Sequence, residues 1–249
     1  MIVSIITVVK NDFRNIEKTI NSVYNQNYQN IEYIVVDGNS TDKTLEIIKK
    51  NKNKISKILS SNDKNLYEAL NKGIKISKGS VIGIIHCGDI YKDKSIIKKS
   101  VELLDSKKLD FVLSDLEIIK KDSSVFRYVN TSRFFKPFML SFGIQPPHPT
   151  LFIKKKIIKE LNYYSTNYKI VGDFDFFCKL FKKKNIKWSN LSITSILQKR
   201  GGLSDGNIQD KIDMSDDMIK ILKTYDFISM KAFFVFKFIL KIKEMIFKK

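Results

Sequence analysis

The sequence predicts an α/β fold whose mostly parallel sheet is flanked by helices, and three observations support this. The chain has 249 residues, enough for one large α/β domain or two small ones. Apolar strand-like runs alternate with helical patterns along its first hundred residues. These runs are continuous and β-branched, which is typical of parallel strands buried on both faces.

Four strands separated by three helices are predicted in the first part of the chain. The strands are 2–9, 31–38, 54–61 and 80–85, and the helices are 16–26, 41–51 and 65–77. Ser40, Thr41 and Asp42 place hydroxyl and acidic side chains where the second helix begins. This order indicates parallel strands joined by right-handed crossovers.

The pattern is less regular beyond residue 94. We predict a helix over 95–106, a strand over 110–119, a strand entering a helix over 151–162, a helix over 171–185, and a strand from 196 followed by a Gly-rich loop to 207. Residues 120–150 hold all four prolines and are expected to form an irregular loop. A loop of this length is usually a binding loop or a lid.

Polar residues follow the carboxyl ends of the predicted strands, where ligands of such sheets bind. The segment 7–11 ends the first strand, and Asp37, Asp63 and Asp89 follow the next three. A single aspartate there commonly forms a turn. Three acids on one sheet edge, in a chain of net charge +19, favour a shared site.

The stretch "IIHCGDIY" places His86 and Cys87 beside Asp89. No second Cys/His pair has zinc-site spacing, so we interpret His86 and Cys87 as packing residues at the end of a strand. Asp89 instead suits Mg²⁺ or Mn²⁺, which take one or two carboxylates and complete their coordination with phosphate oxygens and water.

Composition and motifs exclude several classes of protein. There is no G-x-G-x-x-G and no Walker motif, which argues against dinucleotide dehydrogenases and P-loop enzymes. Lysines are scattered over the whole chain, so the charge reflects either compositional drift or an anionic partner, and no specific nucleic-acid module is present. We expect a cytoplasmic protein with reduced thiols at Cys87 and Cys178, since no secretory signal or membrane span is evident.

Six segments together carry a family resemblance: "VSIITVVKN", "IEYIVVDGNSTDKT", "SNDKNLYEALNKGI", "KGSVIGIIHCGDIY", "PPHPTLFIKK" and "YKIVGDFDFFCKL". In this order they resemble the family 2 glycosyltransferases, inverting enzymes of the GT-A fold that use nucleotide-diphosphate sugars. The resemblance covers roughly residues 2–205 and implies a Rossmann-like sheet. It divides the chain into a nucleotide-sugar-binding half (1–94), an acceptor-binding half (95–206) and a C-terminal helical, basic-aromatic extension (207–249).

The resemblance also implies a nucleotide-sugar site. Its residues here are Thr7, Val9, Asn11, Asp37, Asp63, Lys72, Gly88 and Asp89. The family's metal motif at the fourth strand end is an Asp-any-Asp or Asp-Asp pair, and in "CGD" only Asp89 remains as the metal ligand. Binding of Mg²⁺ or Mn²⁺ is therefore expected, with strict metal dependence left open.

The resemblance places the catalytic base at Asp173, in "VGDFDF", with Asp175 as the alternative. A carboxylate at this position takes the proton from the acceptor hydroxyl as its oxygen attacks the sugar. His148, Lys199 and Arg200 are expected to contact the acceptor or the diphosphate. Gly201 and Gly202 resemble hinges of the loop that closes over the bound donor.

The implied function is transfer of a sugar, with inversion, from a nucleotide-diphosphate donor such as a UDP-sugar. Its acceptor would be a hydroxyl of a glycan or of a polyprenyl-diphosphate-linked saccharide. The alternative is a nucleotide-sugar-binding protein with little or no activity. Segment 231–249 carries six Lys and one Glu among aromatic residues, so it either lies on an anionic membrane at the inner face or packs on the core.

If segment 231–249 is a membrane anchor, a chain ending at residue 228 will not sediment with anionic liposomes, whereas the full chain will. The reason is the loss of basic and apolar side chains that bind headgroups and acyl chains. Equal sedimentation of both chains would exclude the segment as the anchor.

Overall fold

The computed structural model describes residues 1–120, 122–199 and 208–228. Its strands are Val3–Val9 (β1), Ile31–Asp37 (β2), Lys57–Ser60 (β3), Val81–Ile84 (β4), Ile90–Tyr91 (β5), Phe111–Ile119 (β6), Val125–Val129 (β7), Phe152–Lys154 (β8) and Trp188–Lys199 (β9). Its helices are Ile16–Tyr24 (α1), Thr44–Lys50 (α2), Leu66–Ile76 (α3), Ile96–Ser106 (α4), Thr131–Phe134 (α5), Lys155–Glu160 (α6), Gly172–Lys182 (α7) and Ile208–Thr224 (α8).

All of these strands belong to one sheet, ordered β3-β2-β1-β4-β8-β6-β9-β5, with β7 paired to the outer part of β6. The four strands β1 to β4 are mutually parallel, as predicted. β8 then runs antiparallel between β4 and β6, and β9 returns parallel to β6. The carboxyl ends of β1, β2, β3 and β4 consequently lie at one edge.

Helices cover both faces of the sheet and enclose two hydrophobic cores. On one face α1, α2 and α4 pack against the strands, with Ile16, Ile20 and Val23 of α1 buried at helical spacing. On the other face α3, α6, α7 and α8 bury aromatic and aliphatic side chains, including Phe174, Phe176 and Phe177 from α7. This arrangement confirms the predicted α/β class.

The second half of the chain departs from the expected pattern. Residues 120–150 were expected to be irregular, but they contain β7, α5 and short 3-10 helices at Pro137–Phe142 and His148–Thr150. β9 begins at Trp188 rather than 196, because its early residues pair with β6 although only part of their side chains is buried. In a half-exposed strand of this kind, apolar and polar residues alternate only weakly along the sequence.

The C-terminal extension begins with the predicted helical structure, and α8 packs on α7. The Tyr225 hydroxyl donates to Asp175 Oδ1 at 2.9 Å, and Met218, Ile221 and Leu222 join the core. Segment 231–249, whose membrane role was left open, lies outside the described residues. Within the part of the chain that the structure describes, no helix is both long enough and apolar enough to cross a bilayer.

Replacing Gly83 by Ala should lower the free energy of unfolding by about 1–3 kcal/mol, the usual range for an overpacked core. A Cβ at this position of β4 would lie 2.7 Å from Ile5 Cδ1 and 2.9 Å from Phe152 Cε1. Denaturant titration measures the change. The cost should be smaller in a Phe152→Leu background, and an equal cost in both backgrounds would contradict this packing.

Candidate active site at the carboxyl edge of the sheet

Asp37 lies at the carboxyl end of β2 and organises the neighbouring loops. Its fully buried side chain accepts from the Ser40 amide at 3.1 Å and from the Ser60 hydroxyl at 3.0 Å, both at Oδ2. Asp37 Oδ1 has no hydrogen-bond partner among the described residues although it is buried. A buried acceptor left without a partner is costly and indicates a missing donor, such as a ligand N–H.

The ends of β1 and β2 are held together by backbone and side-chain bonds. The Gly38 amide donates to the Val9 carbonyl at 2.8 Å, and Asn11 Oδ1 accepts from the Thr41 amide at 2.8 Å. Thr7, in contrast, is fully buried inside the sheet, where its hydroxyl accepts from Tyr33. Its place in the nucleotide-sugar site stays a prediction.

Asp63 and Lys72 form an ion pair beside the same edge. Lys72 Nζ lies 2.5 Å from Asp63 Oδ1, and the Ser61 hydroxyl donates to Asp63 Oδ2 at 2.8 Å. The Asp63 side chain is almost fully buried, whereas about a third of the Lys72 side chain is exposed.

The residues His86-Cys87-Gly88-Asp89 form a tight turn at the end of β4. The Asp89 amide donates to the His86 carbonyl at 3.0 Å, which closes the turn. Gly88, third in the turn, has φ of +95°, a conformation that a residue with a side chain rarely adopts. Glycine is therefore required by the turn that directs Asp89 back into the site.

The Asp89 carboxyl is buried, and burial raises its pKa to about 8. Gln198 of β9 donates to Asp89 Oδ2 at 3.2 Å, which partly opposes this shift. A nearby cation would favour the ionised form. Among the described residues no group of three or more His, Cys, Asp or Glu side chains is arranged to hold a metal ion. The Asp89 carboxylate is a ligand of the type that Mg²⁺ and Mn²⁺ prefer.

Asp173 is in the first turn of α7, and both of its carboxylate oxygens are hydrogen-bonded. Gln145 Nε2 donates to Oδ2 at 2.6 Å, and Oδ1 accepts from the Phe174 amide at 2.8 Å and from the Tyr67 hydroxyl at 3.3 Å. Burial raises the pKa of Asp173, and the Gln145 amide is the main group that lowers it. Neither Gln145 nor Tyr67 was identified from the sequence.

The two histidines of the chain are in contact with each other, and His86 belongs to the turn that bears Asp89. His148 Nδ1 lies 3.2 Å from His86 Nε2, and His148 Nε2 lies 2.9 Å from the Tyr164 hydroxyl. Burial lowers the pKa of His86 to about 4 and that of His148 to about 3, so both rings are neutral near pH 7. The Asp173 carboxylate acts to raise the pKa of His86, and His86 acts to lower the pKa of Asp173.

The structure gives both histidines partners that the sequence did not indicate. His148, which was expected to contact the acceptor or the diphosphate, is buried with its ring nitrogens beside His86 and the Tyr164 hydroxyl, and its role stays a prediction. His86, interpreted as packing, is half-buried and forms part of the polar network. The sequence could not reveal this pairing, since the two residues are 62 positions apart.

The remaining predicted residues are divided between the site and its surroundings. Lys199, at the end of β9, lies 3.3 Å from Asn15 Oδ1, so this strand end approaches the β1–α1 loop. Asp175 instead pairs with Lys179 of the same helix at 2.9 Å and accepts from Tyr225, which directly follows α8. Arg200 and the proposed hinge glycines 201 and 202 lie outside the described residues.

Residues 4–187 match the family model described as Glycosyl transferase family 2. The chain belongs to this family. The matched segment contains nearly all of β1, the strands β2 to β4, the turn that carries Asp89, and Asp173 at the start of α7. The resemblance inferred from the ordered motifs is therefore confirmed.

Individual relatives agree with this assignment. The chain is 33% identical over 143 residues to the Escherichia coli UDP-Glc:alpha-D-GlcNAc-diphosphoundecaprenol beta-1,3-glucosyltransferase WfaP, covering 57% of this chain and 54% of that protein. It is similar to the solved structure of Staphylococcus aureus TarS 1–349 in complex with UDP-GlcNAc, with a TM-score of 0.72, 21% identity, and 90% of this chain and 65% of that chain covered.

A third similarity is to the mannosyltransferase PcManGT from Pyrobaculum calidifontis in complex with GDP-Man and Mn²⁺. Its TM-score is 0.66 at 15% identity, covering 89% of this chain and 63% of that one. The two structural similarities confirm the GT-A fold. The chain spans less than two thirds of the length of each of these three proteins.

The histidine pair predicts a specific loss of stability in acid. Both rings stay neutral when folded but protonate near pH 6.5 when unfolded, so the stability present above pH 6.5 falls as the pH drops toward 4. Each histidine contributes a slope approaching about 1.4 kcal/mol per pH unit. His148→Gln removes one of these two contributions. Denaturant titrations between pH 8 and pH 5 should therefore show that the free energy of unfolding falls less steeply with decreasing pH in the variant than in the wild type.

The measurements at pH 8 serve as the control, since both rings are neutral there in the folded and unfolded states. The difference in the free energy of unfolding between the wild type and His148→Gln at pH 8 reports only the change in packing. Stability curves that stay parallel down to pH 5 would contradict neutral, buried histidines.

Proposed function

We propose that this chain transfers a sugar, with inversion, from a nucleotide-diphosphate donor to an acceptor hydroxyl, with Asp173 as the general base. The observation that carries the proposal is the Asp173 carboxylate in the first turn of α7. Both of its oxygens are hydrogen-bonded, and its charge acts on His86 of the turn that bears Asp89. The family assignment supplies the class of reaction.

The nucleotide-sugar would lie along the carboxyl ends of β1, β2 and β4. Asp37, with one buried oxygen free of hydrogen bonds among the described residues, suits a donor N–H of the base. Asn11, Lys72 and Gly88 line the loops around the same edge. A UDP-sugar is the donor favoured by the named specificity of WfaP and by the ligand bound to TarS.

The reaction requires one carboxylate that accepts a proton. Asp173 would take the proton of the acceptor hydroxyl while the oxygen attacks the anomeric carbon from the side opposite the diphosphate. The bond between that carbon and the diphosphate oxygen breaks, and the configuration inverts. A pKa raised by burial brings Asp173 closer to the working pH, which makes it a better base.

Asp89 would hold a divalent cation together with the donor diphosphate. Mg²⁺ or Mn²⁺ fits an oxygen ligand of this kind and, when bound, stabilises the charge of the leaving diphosphate. One protein carboxylate suffices where substrate oxygens complete the shell, and PcManGT is described with Mn²⁺. Lys199 would add positive charge from the end of β9.

The acceptor would be a glycan or a polyprenyl-diphosphate-linked saccharide in surface-polysaccharide synthesis. The name of WfaP, whose acceptor is a diphosphoundecaprenol-linked sugar, supports this class. The basic-aromatic segment 231–249 would attach the enzyme to the inner membrane face, where such acceptors lie.

A second candidate is a nucleotide-sugar-binding protein with little or no transfer activity. The observation that favours it is the single carboxylate at the turn, where the family's motif has two. The hydrogen-bonded Asp173 argues for the enzyme, because a binding protein needs no partly buried base.

Incubation with UDP-sugars and Mn²⁺ should release UDP, either by transfer to a lipid-linked saccharide or by slow hydrolysis. Asp173→Asn should reduce this rate by about 10²–10⁴-fold, since it removes the base and preserves the shape of the side chain. UDP release, measured by chromatography, checks the outcome.

Asp175→Asn is the matched control, because Asp175 is a neighbouring acid of the same helix whose partners are Lys179 and Tyr225. Activity close to that of the wild type is expected for it. Full activity in Asp173→Asn would exclude Asp173 as the base. UDP-sugar binding without any turnover would favour the second candidate.

A further inference from the structure

Gln145 makes the shortest hydrogen bond to the Asp173 carboxylate. Its Nε2 lies 2.6 Å from Asp173 Oδ2, compared with 2.8 Å for the Phe174 amide and 3.3 Å for the Tyr67 hydroxyl at Oδ1. Gln145 is also the partner contributed from outside α3 and α7, since it belongs to the segment between β7 and β8.

The backbone around Gln145 is conformationally restricted. Gly143 ends the preceding 3-10 helix in the left-handed conformation, with φ of +68°. Pro146 and Pro147 follow directly, and a proline restricts the residue before it to extended conformations. The Gln145 amide is thus presented to Asp173 by a locally constrained loop.

The oxygen of the Gln145 side-chain amide does not link this residue to another part of the described structure by a hydrogen bond. Its Oε1 is buried and has no hydrogen-bond partner among the described residues. A buried carbonyl without a partner opposes folding, so this side chain is not explained by stability. The orientation also fits an ionised base, because a reversed amide would direct its oxygen at the carboxylate.

We propose that Gln145 is a positioning residue that fixes the Asp173 carboxylate for proton abstraction and keeps it ionised. This inference rests on the proposed function of Asp173 as the general base. The amide holds Oδ2 while Phe174 and Tyr67 hold Oδ1, so the carboxylate cannot rotate freely. The segment between β7 and β8 thereby acts on the reaction through Asp173.

The test uses the full chain with Gln145→Met, which keeps the length of the side chain and removes the donor. Gln145→Glu is the second variant and places a carboxylate against Asp173. Gln209→Met is the matched control, because Gln209 donates to Asp213 Oδ1 at 2.9 Å in an exposed pair on α8. Thermal unfolding establishes which variants are folded.

Two readouts are compared. The first is titration of the Asp173 carboxyl carbon by ¹³C NMR, with its signal assigned by its absence in Asp173→Asn. The second is the pH dependence of kcat/KM for UDP-sugar turnover. Loss of the donor should move the Asp173 titration and the acid limb of the profile to higher pH in both Gln145 variants, because the ionised form loses its stabilisation.

The expected kinetic effect is a fall in kcat by roughly 10-fold or more with an unchanged KM for the donor, because the carboxylate loses its fixed orientation and this loss outweighs its gain in basicity. Gln209→Met should change neither readout. Unaltered titration of Asp173 in a folded Gln145 variant would overturn the inference, as would a lower kcat with an unshifted pH profile. If no UDP-sugar is turned over, the proposed function fails, and the NMR titration alone decides the inference.

Discussion

The site depends on the packing of α3 against the segment that leads into α7. The Tyr67 hydroxyl donates to the Ile170 carbonyl, and a Cβ at Gly172 would lie 2.7 Å from the Tyr67 ring. Deeper in the core, Asn71 bonds the backbone of Tyr164 in both directions, at 2.8 and 3.1 Å. Because α3 packs directly on β1 and β2, these contacts hold the start of α7 at a fixed position relative to the carboxyl edge of the sheet.

The parts of the site that could be predicted are those encoded by local sequence. β1, β2 and β4 are continuous apolar runs, so their ends, and with them Asp37 and Asp89, could be located by periodicity alone. The turn at Gly88 is likewise a local feature, and α7 starts close to where its helical pattern indicated. The roles of Asp89 and Asp173 came from the family resemblance and remain proposals.

The features that could not be predicted depend on contacts between distant residues. Gln145 reaches Asp173 across 28 positions and Gln198 reaches Asp89 across 109, and neither glutamine has a local pattern that marks it. Segment 120–150 was mistaken for an irregular loop because the residues of β7 are half-exposed. The assignment of Thr7 to the nucleotide-sugar site stays a prediction, and its side chain is buried and accepts from Tyr33.

The proposed function requires that Asp89 and the adjoining strand ends bind a nucleotide diphosphate with a metal ion. Calorimetric titration of UDP into the wild type and Asp89→Asn, with and without Mn²⁺ and with GDP and dTDP as controls, tests it most directly. We expect UDP binding that Mn²⁺ strengthens in the wild type and fails to strengthen in the variant. Absence of binding by any of these nucleotides under all conditions would contradict it.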